Sequence, residues 1–178
     1  KVSCHYFITY SGEILNMVPD LYISWHAGKS CWKKKKSLNY NSIGIEISNP
    51  GHDNNYINFR KKQLKSILFL VSKLKKKYKI KNRNILGHSD IAPDRKKDPG
   101  EKFPWELMKN KNIGIWHNLS RAKLRKVRNQ ACTKLEVDKF FDNLKKIGYC
   151  AKSKIKMIKA FQRRFRQKQI SNKIDKEC

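Results

Sequence analysis

The sequence predicts an α/β fold, a central mixed β-sheet flanked by helices and followed by a small, incomplete all-helical module. Three features predict it. Residues 41–48 (NSIGIEIS) alternate Ile43, Ile45 and Ile47 on one face with Ser42, Gly44, Glu46 and Ser48 on the other, the period of a strand with one buried side. Residues 59–78 set Leu64, Ile67, Leu68, Val71, Leu74 and Tyr78 at helical spacing, with lysines on the opposite face, as an amphipathic helix requires. Beyond residue 134 two more helical stripes follow, Val137/Phe140/Phe141/Leu144/Ile147 and Ile155/Ile158/Phe161/Gln162/Phe165. Two short helices are too few to bury a core alone.

Residues 4–8 (CHYFI) have high strand propensity, residues 9–12 (TYSG) supply a turn, and residues 13–18 (EILNMV) alternate again. Together they read as a β-hairpin, with His5 a strand-face or core histidine. Residues 19–36 form a loop in which Trp25 and Trp32 flank His26. Planar aromatic faces suit sugar rings or peptide backbone, so the loop is either a cleft wall or a segment pinned to the core by its tryptophans. The four lysines 33–36 read as a solvated tip.

On the strand 41–48, Gly44 leaves room for close approach of a backbone or a ligand. Glu46 is costly among β-branched neighbours unless it faces a polar cleft; a solvent-facing side of a half-exposed sheet is the alternative. Residues 50–58 are a polar loop with His52 as an ordinary surface histidine, and Asn58 is the expected N-cap of the helix that follows.

Residues 84–105 (NILGHSDIAPDRKKDPGEKFPW) hold His88, Lys96 and Asp98 within eleven positions, bracketed by Pro93 and Pro99-Gly100. The prolines prevent a continuing helix. The apolar start brings the chain out of the core at His88, and the loop folds back so that Asp98 approaches the same point. A short helix follows Pro104, and residues 114–131 are a basic, linker-like stretch with an exposed His117. Gly148 ends the next helix at C′, Ser153 caps the last one, and the closing SNKIDKEC reads as the start of another.

Composition narrows the field. A chain of 178 residues allows one medium domain, or one domain and a small accessory unit. Its 42 Lys+Arg against 14 Asp+Glu give a net charge of +28, which favours polyanions. The lysines are spread over nearly every segment, however, and no nucleic-acid motif is present, so no specific nucleic-acid partner is expected. Five cysteines without a C-x-x-C argue against a thiolate zinc knuckle or a redox motif. The odd count leaves at least one thiol free, weak support for a reduced protein, with a bridge such as Cys132–Cys150 as the alternative. No apolar run approaches transmembrane length.

His88 and Asp98 suit zinc, and hydrolytic zinc sites use three protein ligands and keep one position for water. The bound water then ionises at a pKa of about 7. Glu46 can take its proton, and Lys96 can stabilise the oxyanion of a tetrahedral intermediate.

GHSDIAPDRKKDPG, together with SIGIEI, WHAG and CHYFI, resembles the AmpD/AmiD group of N-acetylmuramoyl-L-alanine amidases (the amidase-2 family, related to peptidoglycan recognition proteins and phage T7 lysozyme) from about residue 2 to residue 105. The resemblance implies a zinc enzyme that hydrolyses the amide between N-acetylmuramic acid and L-alanine in peptidoglycan or muropeptides, in cell-wall turnover. It implies His88 and Asp98 as the second and third metal ligands, Glu46 as the glutamate that acts on the water, and Lys96 as the oxyanion lysine. His26, Asn39 and Arg95 match positions near the substrate or bracing the site. The family's first ligand lies on an earlier strand, in a segment like V-x-H-Y-T. CHYFI matches the later S-H-Y-L strand instead, so His5 is not that ligand and the missing histidine is expected upstream of Lys1.

GYC and IKAFQRRFRQ resemble the helical peptidoglycan-binding domain that follows the amidase in part of the group. The expected organisation is therefore an N-terminally incomplete catalytic domain over 1–112, a basic linker over 113–133 and an incomplete helical module over 134–178. The cell envelope or periplasm is the expected location, with anchoring through a missing N-terminus as one form and the cytoplasm as the alternative. A truncated, non-catalytic peptidoglycan-binding protein is the competing functional reading.

Overall fold

Strand β1 (Tyr6–Ile8) lies at the centre of a three-stranded sheet. It pairs antiparallel with β2 (Ile14–Asn16), Ile8 opposite Ile14, and parallel with β5 (Ile45–Ile47), Ile8 opposite Ile47. The sheet is therefore mixed, in the order β2-β1-β5. The computed structural model describes residues 2–178. A parallel neighbour requires a long crossover, which here carries a two-stranded ribbon, β3 (Cys31–Trp32) and β4 (Lys35–Lys36), and a single 3-10 turn at Leu38–Tyr40.

Helix α1 (Lys61–Lys77) covers one face of the sheet. Ile67, Leu70 and Leu74 pack with Ile8, Phe103, Trp105, Met108 and Ile113, and Ile43, Ile45 and Ile47 join from the strand side. The buried stripe is centred on Leu70, with Leu64, Leu68 and Val71 on its margin. The N-cap is Arg60, two residues later than the expected Asn58. Gln63 explains the shift: its Oε1 accepts from the Arg60 N–H at 3.0 Å while its amide donates to the Ser48 carbonyl at 2.7 Å. One buried side chain thus starts the helix and ties it to the end of β5.

Two short helices, α2 (His88–Ile91) and α3 (Trp105–Asn110), follow. The basic stretch 114–131 contains a further helix, α4 (Arg121–Val127), capped by Ser120, and His117 is half-buried against Trp116. Helices α5 (Lys134–Ile147) and α6 (Lys154–Phe165) fall where their stripes place them, capped by Thr133 and Ser153. They complete their core with residues from the N-terminal half. Ala27, Trp32 and Leu38 pack against Phe140, Phe141, Leu144, Tyr149, Met157, Ile158 and Ala160. Gly148 ends α5 at a φ of 137°. A Cβ there would lie 2.6 Å from the Trp32 ring, so the position needs glycine for space as well as for its backbone.

A disulfide joins Cys31 to Cys150, 119 positions apart. It corrects both expectations for the cysteines: one bridge exists, and the partner of Cys150 is Cys31 rather than Cys132. Cys4, Cys132 and Cys178 are free thiols. The bridge closes a long loop, and long loops gain most from cross-linking. Replacing both Cys31 and Cys150 by alanine is expected to cost about 2–5 kcal/mol, read as a lower denaturant midpoint.

The closing residues do not start a helix. Asp175 makes an isolated antiparallel bridge to Ala131. Arg166 donates to Asp175 (2.6 Å) and to Glu177 (2.8 Å), and Arg128 also pairs with Glu177. These buried charges fix the tail in an irregular course that a helix could not satisfy.

Candidate active site

The loop after α1 leads to the buried Gly87, where α2 begins. Asp90 Oδ2 accepts the Gly87 N–H at 2.8 Å, a bond from the third helical residue back to the N-cap that defines the first turn. His88 is the first residue of that turn. The chain then reverses, and the Ser89 N–H donates to the Asp98 carbonyl at 2.8 Å. This bond zips the two limbs together and leaves His88 Nδ1 3.0 Å from Asp98 Oδ2. The sequence-derived approach of these two side chains is thus present in the fold.

The pair is coupled electrostatically to Glu46. Desolvation pushes the Glu46 carboxyl above its ordinary range, the Asp98 charge pushes it further, and His88 and Lys96 oppose the rise. Desolvation also acts upward on Asp98, but the His88 hydrogen bond and charge, with help from Lys96, outweigh it and hold Asp98 low. Glu46, His88, Lys96 and Asp98 therefore lie within electrostatic reach of one another. Glu46 is solvent-reachable on the face of β5 opposite the core, while Lys96 is half-buried in the turn closed by its N–H to the Ala92 carbonyl.

His26 enters the same region. Its Nδ1 is 2.8 Å from Ser24 Oγ and its Nε2 3.0 Å from Ser42 Oγ. Burial, then the neighbouring His5, lowers its pKa to about 4, so the ring is neutral near pH 7. Gly44 makes this placement possible. A Cβ at position 44 would stand 2.2 Å from His26 Cγ, so the group that approaches Gly44 is the imidazole of His26. His5 is buried, with Nδ1 near Ser24 Oγ and the Gly44 N–H and Nε2 bonded to the Tyr22 carbonyl. Both its nitrogens are occupied within the core.

The two tryptophans of the loop divide its alternatives between them. Trp32 is buried in the second core, whereas Trp25 is half exposed and meets Tyr40 edge-on at 6.1 Å. Asn39 is buried, and its Oδ1 accepts the Ala27 N–H at 2.7 Å. Arg95 donates from Nε to the Lys29 carbonyl at 3.0 Å and from Nη2 to the Ala27 carbonyl, and Nη2 lies 3.2 Å from His88 Nε2. In this structure Asn39 and Arg95 brace the WHAG loop against the His88 turn.

Sequence reasoning missed the supports on the far limb. Tyr56 donates its hydroxyl proton to the Pro99 carbonyl at 2.6 Å and accepts the Lys102 N–H at 2.9 Å. Its ring stacks on His52, whose Nε2 lies 3.0 Å from Glu101 Oε2. His52 is therefore half-buried and engaged beside Asp98, a correction to its reading as an ordinary surface residue. Gly100, at a φ of 82°, is required there because a Cβ would meet the Tyr56 hydroxyl at 2.6 Å. No local pattern marks Tyr56 as a support; its contacts lie 43 and 46 positions away.

The donor pair fits a zinc ion. His88 Nε2 is 3.2 Å from both the Ala27 carbonyl and Arg95 Nη2, while Nδ1 lies 3.0 Å from the Asp98 carboxylate. Either a ring proton on Nδ1 or a metal ion held between the two atoms satisfies that carboxylate. Zinc–nitrogen and zinc–oxygen distances of about 2.0–2.2 Å in a tetrahedron put two ligand atoms roughly 3.3 Å apart, close to the separation seen. A ligating histidine also usually donates its other N–H to a carbonyl, and the Ala27 carbonyl stands within reach of Nε2 here. Among the described residues no group of three or more His, Cys, Asp or Glu side chains converges in this way.

The family model described as N-acetylmuramoyl-L-alanine amidase (Amidase_2) matches residues 1–101. The N-acetylmuramoyl-L-alanine amidase AmiD of Escherichia coli (strain K12) is 31% identical over 195 residues, covering 99% of this chain and 71% of that protein. The 1,6-anhydro-N-acetylmuramyl-L-alanine amidase AmpD of Citrobacter freundii is 36% identical over 105 residues, covering 59% of this chain and 54% of that protein. Among solved structures, AmiD from E. coli, in complex with the substrate anhydro-N-acetylmuramic acid-L-Ala-D-gamma-Glu-L-Lys, superposes with a TM-score of 0.86 at 30% identity, over 99% of this chain and 76% of that one. AmpDh3 from Pseudomonas aeruginosa, in complex with anhydromuramic pentapeptide, superposes with a TM-score of 0.84 at 26% identity, over 99% and 78%.

Proposed function

The chain belongs to the N-acetylmuramoyl-L-alanine amidase family, and from that premise we propose that it hydrolyses the amide bond between N-acetylmuramic acid and L-alanine in peptidoglycan or its muropeptides, with zinc as the cofactor. The observation that carries this reading is the His88 Nδ1–Asp98 Oδ2 pair, 3.0 Å apart, with Nε2 turned to the Ala27 carbonyl. His88 and Asp98 would supply two of the protein ligands. Zinc, when bound, supplies an acidified water and a Lewis acid for the amide carbonyl.

The remaining steps fall to the chain. Glu46 accepts the proton of the attacking water, and its raised pKa brings it nearer the neutral range where general bases work best. It returns that proton to the leaving L-alanine nitrogen, so the amine departs neutral. Lys96 donates to the oxyanion as the carbonyl becomes tetrahedral. Neutral His26 and half-exposed Trp25 offer a polar and a flat surface beside the reacting groups, suited to a sugar–peptide junction. The Cys31–Cys150 disulfide supports an envelope location, because such bridges persist in oxidising compartments. No helix among the described residues is long and apolar enough to cross a membrane.

The test is release of stem peptide from purified muropeptides by zinc-loaded protein, with metal content measured in parallel. Glu46→Gln is expected to lower kcat by about 10²–10⁴-fold, the contribution of a general base, with zinc content unchanged. Equal turnover by the variant would remove Glu46 from the mechanism. A second reading, binding of peptidoglycan without turnover, is favoured by the two rather than three converging ligand side chains among the described residues. Pull-down by cell-wall sacculi with no peptide release would establish it.

A further inference from the structure

We propose that Arg164, on helix α6 at the other end of the chain, is a positioning residue for His88, so that the C-terminal helices form part of the amidase site's scaffold. Arg164 is 2% exposed, and its guanidinium reaches both sides of the histidine. Nη1 donates to Asp90 Oδ2 at 2.7 Å, two residues after His88, and Nη2 donates to the Ile85 carbonyl at 3.2 Å, three residues before it. Asp90 Oδ2 is the same oxygen that accepts the Gly87 N–H and sets the first turn of α2. The guanidinium plane lies over the Trp105 ring, 3.8 Å from its centroid, which fixes its rotation.

The rest of the C-terminal unit grips the same loop. The Tyr149 hydroxyl donates to Asp90 Oδ1 at 2.6 Å, so both oxygens of a buried carboxylate are held by residues from beyond position 148. Asp94 accepts the backbone N–H groups of Lys152 and Ser153 at 3.0 and 3.2 Å, where α6 begins. The segment carrying His88 is thus held by α6 at Ile85 and Asp90 and by the turn leading into α6 at Asp94. Only the planar fork of arginine can serve a carboxylate and a carbonyl at once while stacking on an indole; the point charge of lysine cannot. The bland alternative is a buried ion pair that stabilises packing in general.

This inference rests on the proposed amidase reading for its kinetic consequence, although its structural arm stands without it. The experiment compares Arg164→Lys, which keeps a charge for Asp90 but loses the Ile85 contact, with the double variant Asp90→Asn/Arg164→Gln, which removes both charges. The first readout is amide hydrogen exchange at Ser89, whose N–H closes the loop onto Asp98, against Leu70 and Leu74 in α1. The second is kcat and KM on muropeptide.

In Arg164→Lys, exchange at Ser89 is expected to quicken at least about tenfold while the α1 amides stay within about twofold. Turnover should fall about 10–100-fold, the usual cost of losing a support behind a reacting group, with KM nearly unchanged. Folded variants with unaltered exchange at Ser89 would overturn the proposal. So would failure of both variants to fold, because Arg164 would then hold the chain as a whole. If the wild-type chain shows no hydrolysis, the function reading fails on its own and the exchange result still decides the positioning role.

Discussion

Asp98→Ala is expected to abolish stoichiometric zinc binding and to reduce peptide release from muropeptides by at least about 10³-fold, while leaving the fold nearly as stable as before. The separation of the two effects follows from position. Asp98 is 55% exposed at its side chain, and exposed ion pairs contribute only about 0–1 kcal/mol. The loop that carries it is closed by bonds to backbone carbonyls that the substitution leaves intact, from the Ser89 N–H to Asp98 and from the Tyr56 hydroxyl to Pro99. What disappears is the anionic oxygen opposite His88 Nδ1, and with it one ligand of a site that needs three. Its absence also withdraws the charge that helps to raise Glu46. Metal content measured by mass spectrometry, product release and the thermal midpoint, taken on one preparation, check the three parts. A variant that keeps zinc and turnover would remove Asp98 from the site.

Gly44→Ala is expected to do the reverse, breaking the fold and the site together. The added methyl would stand 2.2, 2.5 and 2.6 Å from three atoms of His26, far inside van der Waals contact. Relief by backbone motion is blocked. The Gly44 N–H is bonded to His5 Nδ1, and its carbonyl accepts from the His5 and Tyr6 N–H groups at the start of β1. Either His26 leaves Ser24 and Ser42, or β5 parts from β1. Overpacking in rigid surroundings costs about 1–3 kcal/mol and sometimes more; at least about 3 kcal/mol is expected, read as a shift in denaturant midpoint. His26→Ala in the same chain should restore part of the loss, because it removes the two ring atoms and leaves only the Cβ contact at 2.6 Å. A double-mutant cycle showing no coupling would refute the account.

How much of this was legible in the sequence depended on distance along the chain. The period of two at 43–47, the stripes of α1, α5 and α6, the capping Ser153 and the glycine at 148 are local signals, and each has its counterpart in the fold. The approach of His88 and Asp98 was legible for a similar reason: eleven residues interrupted by Pro93 and closed by Pro99 can do little except return. Within α1, Leu64, Ile67, Leu68, Val71, Leu74 and Tyr78 all join the core as their spacing implies, whereas the burial of Leu70 is set by Trp105 and Met108, which packing brings and periodicity does not announce. The disulfide partner of Cys150 lay 119 positions away. Arg164 resembled any other basic residue of a solvated helix, and only the fold turns it inward onto Asp90. The tail was misread because Asn172, Asp175 and Glu177 resemble helix-start residues, whereas Arg128 and Arg166 claim those carboxylates for another geometry.

The second core, shared between Trp32 and Leu38 near one end and α5 and α6 near the other, sets the order in which this protein can be made. A nascent chain presents Trp32 and Leu38 to solvent until more than a hundred further residues have emerged, and contacts of such sequence separation form slowly. During that interval the early hairpin has a partner in α1 but none for its aromatic crossover, and exposed apolar surface of this kind invites association with other chains. Synthesis that stops short of α6 therefore yields an adhesive intermediate, and the emergence of α6 is the event that lets this surface be covered.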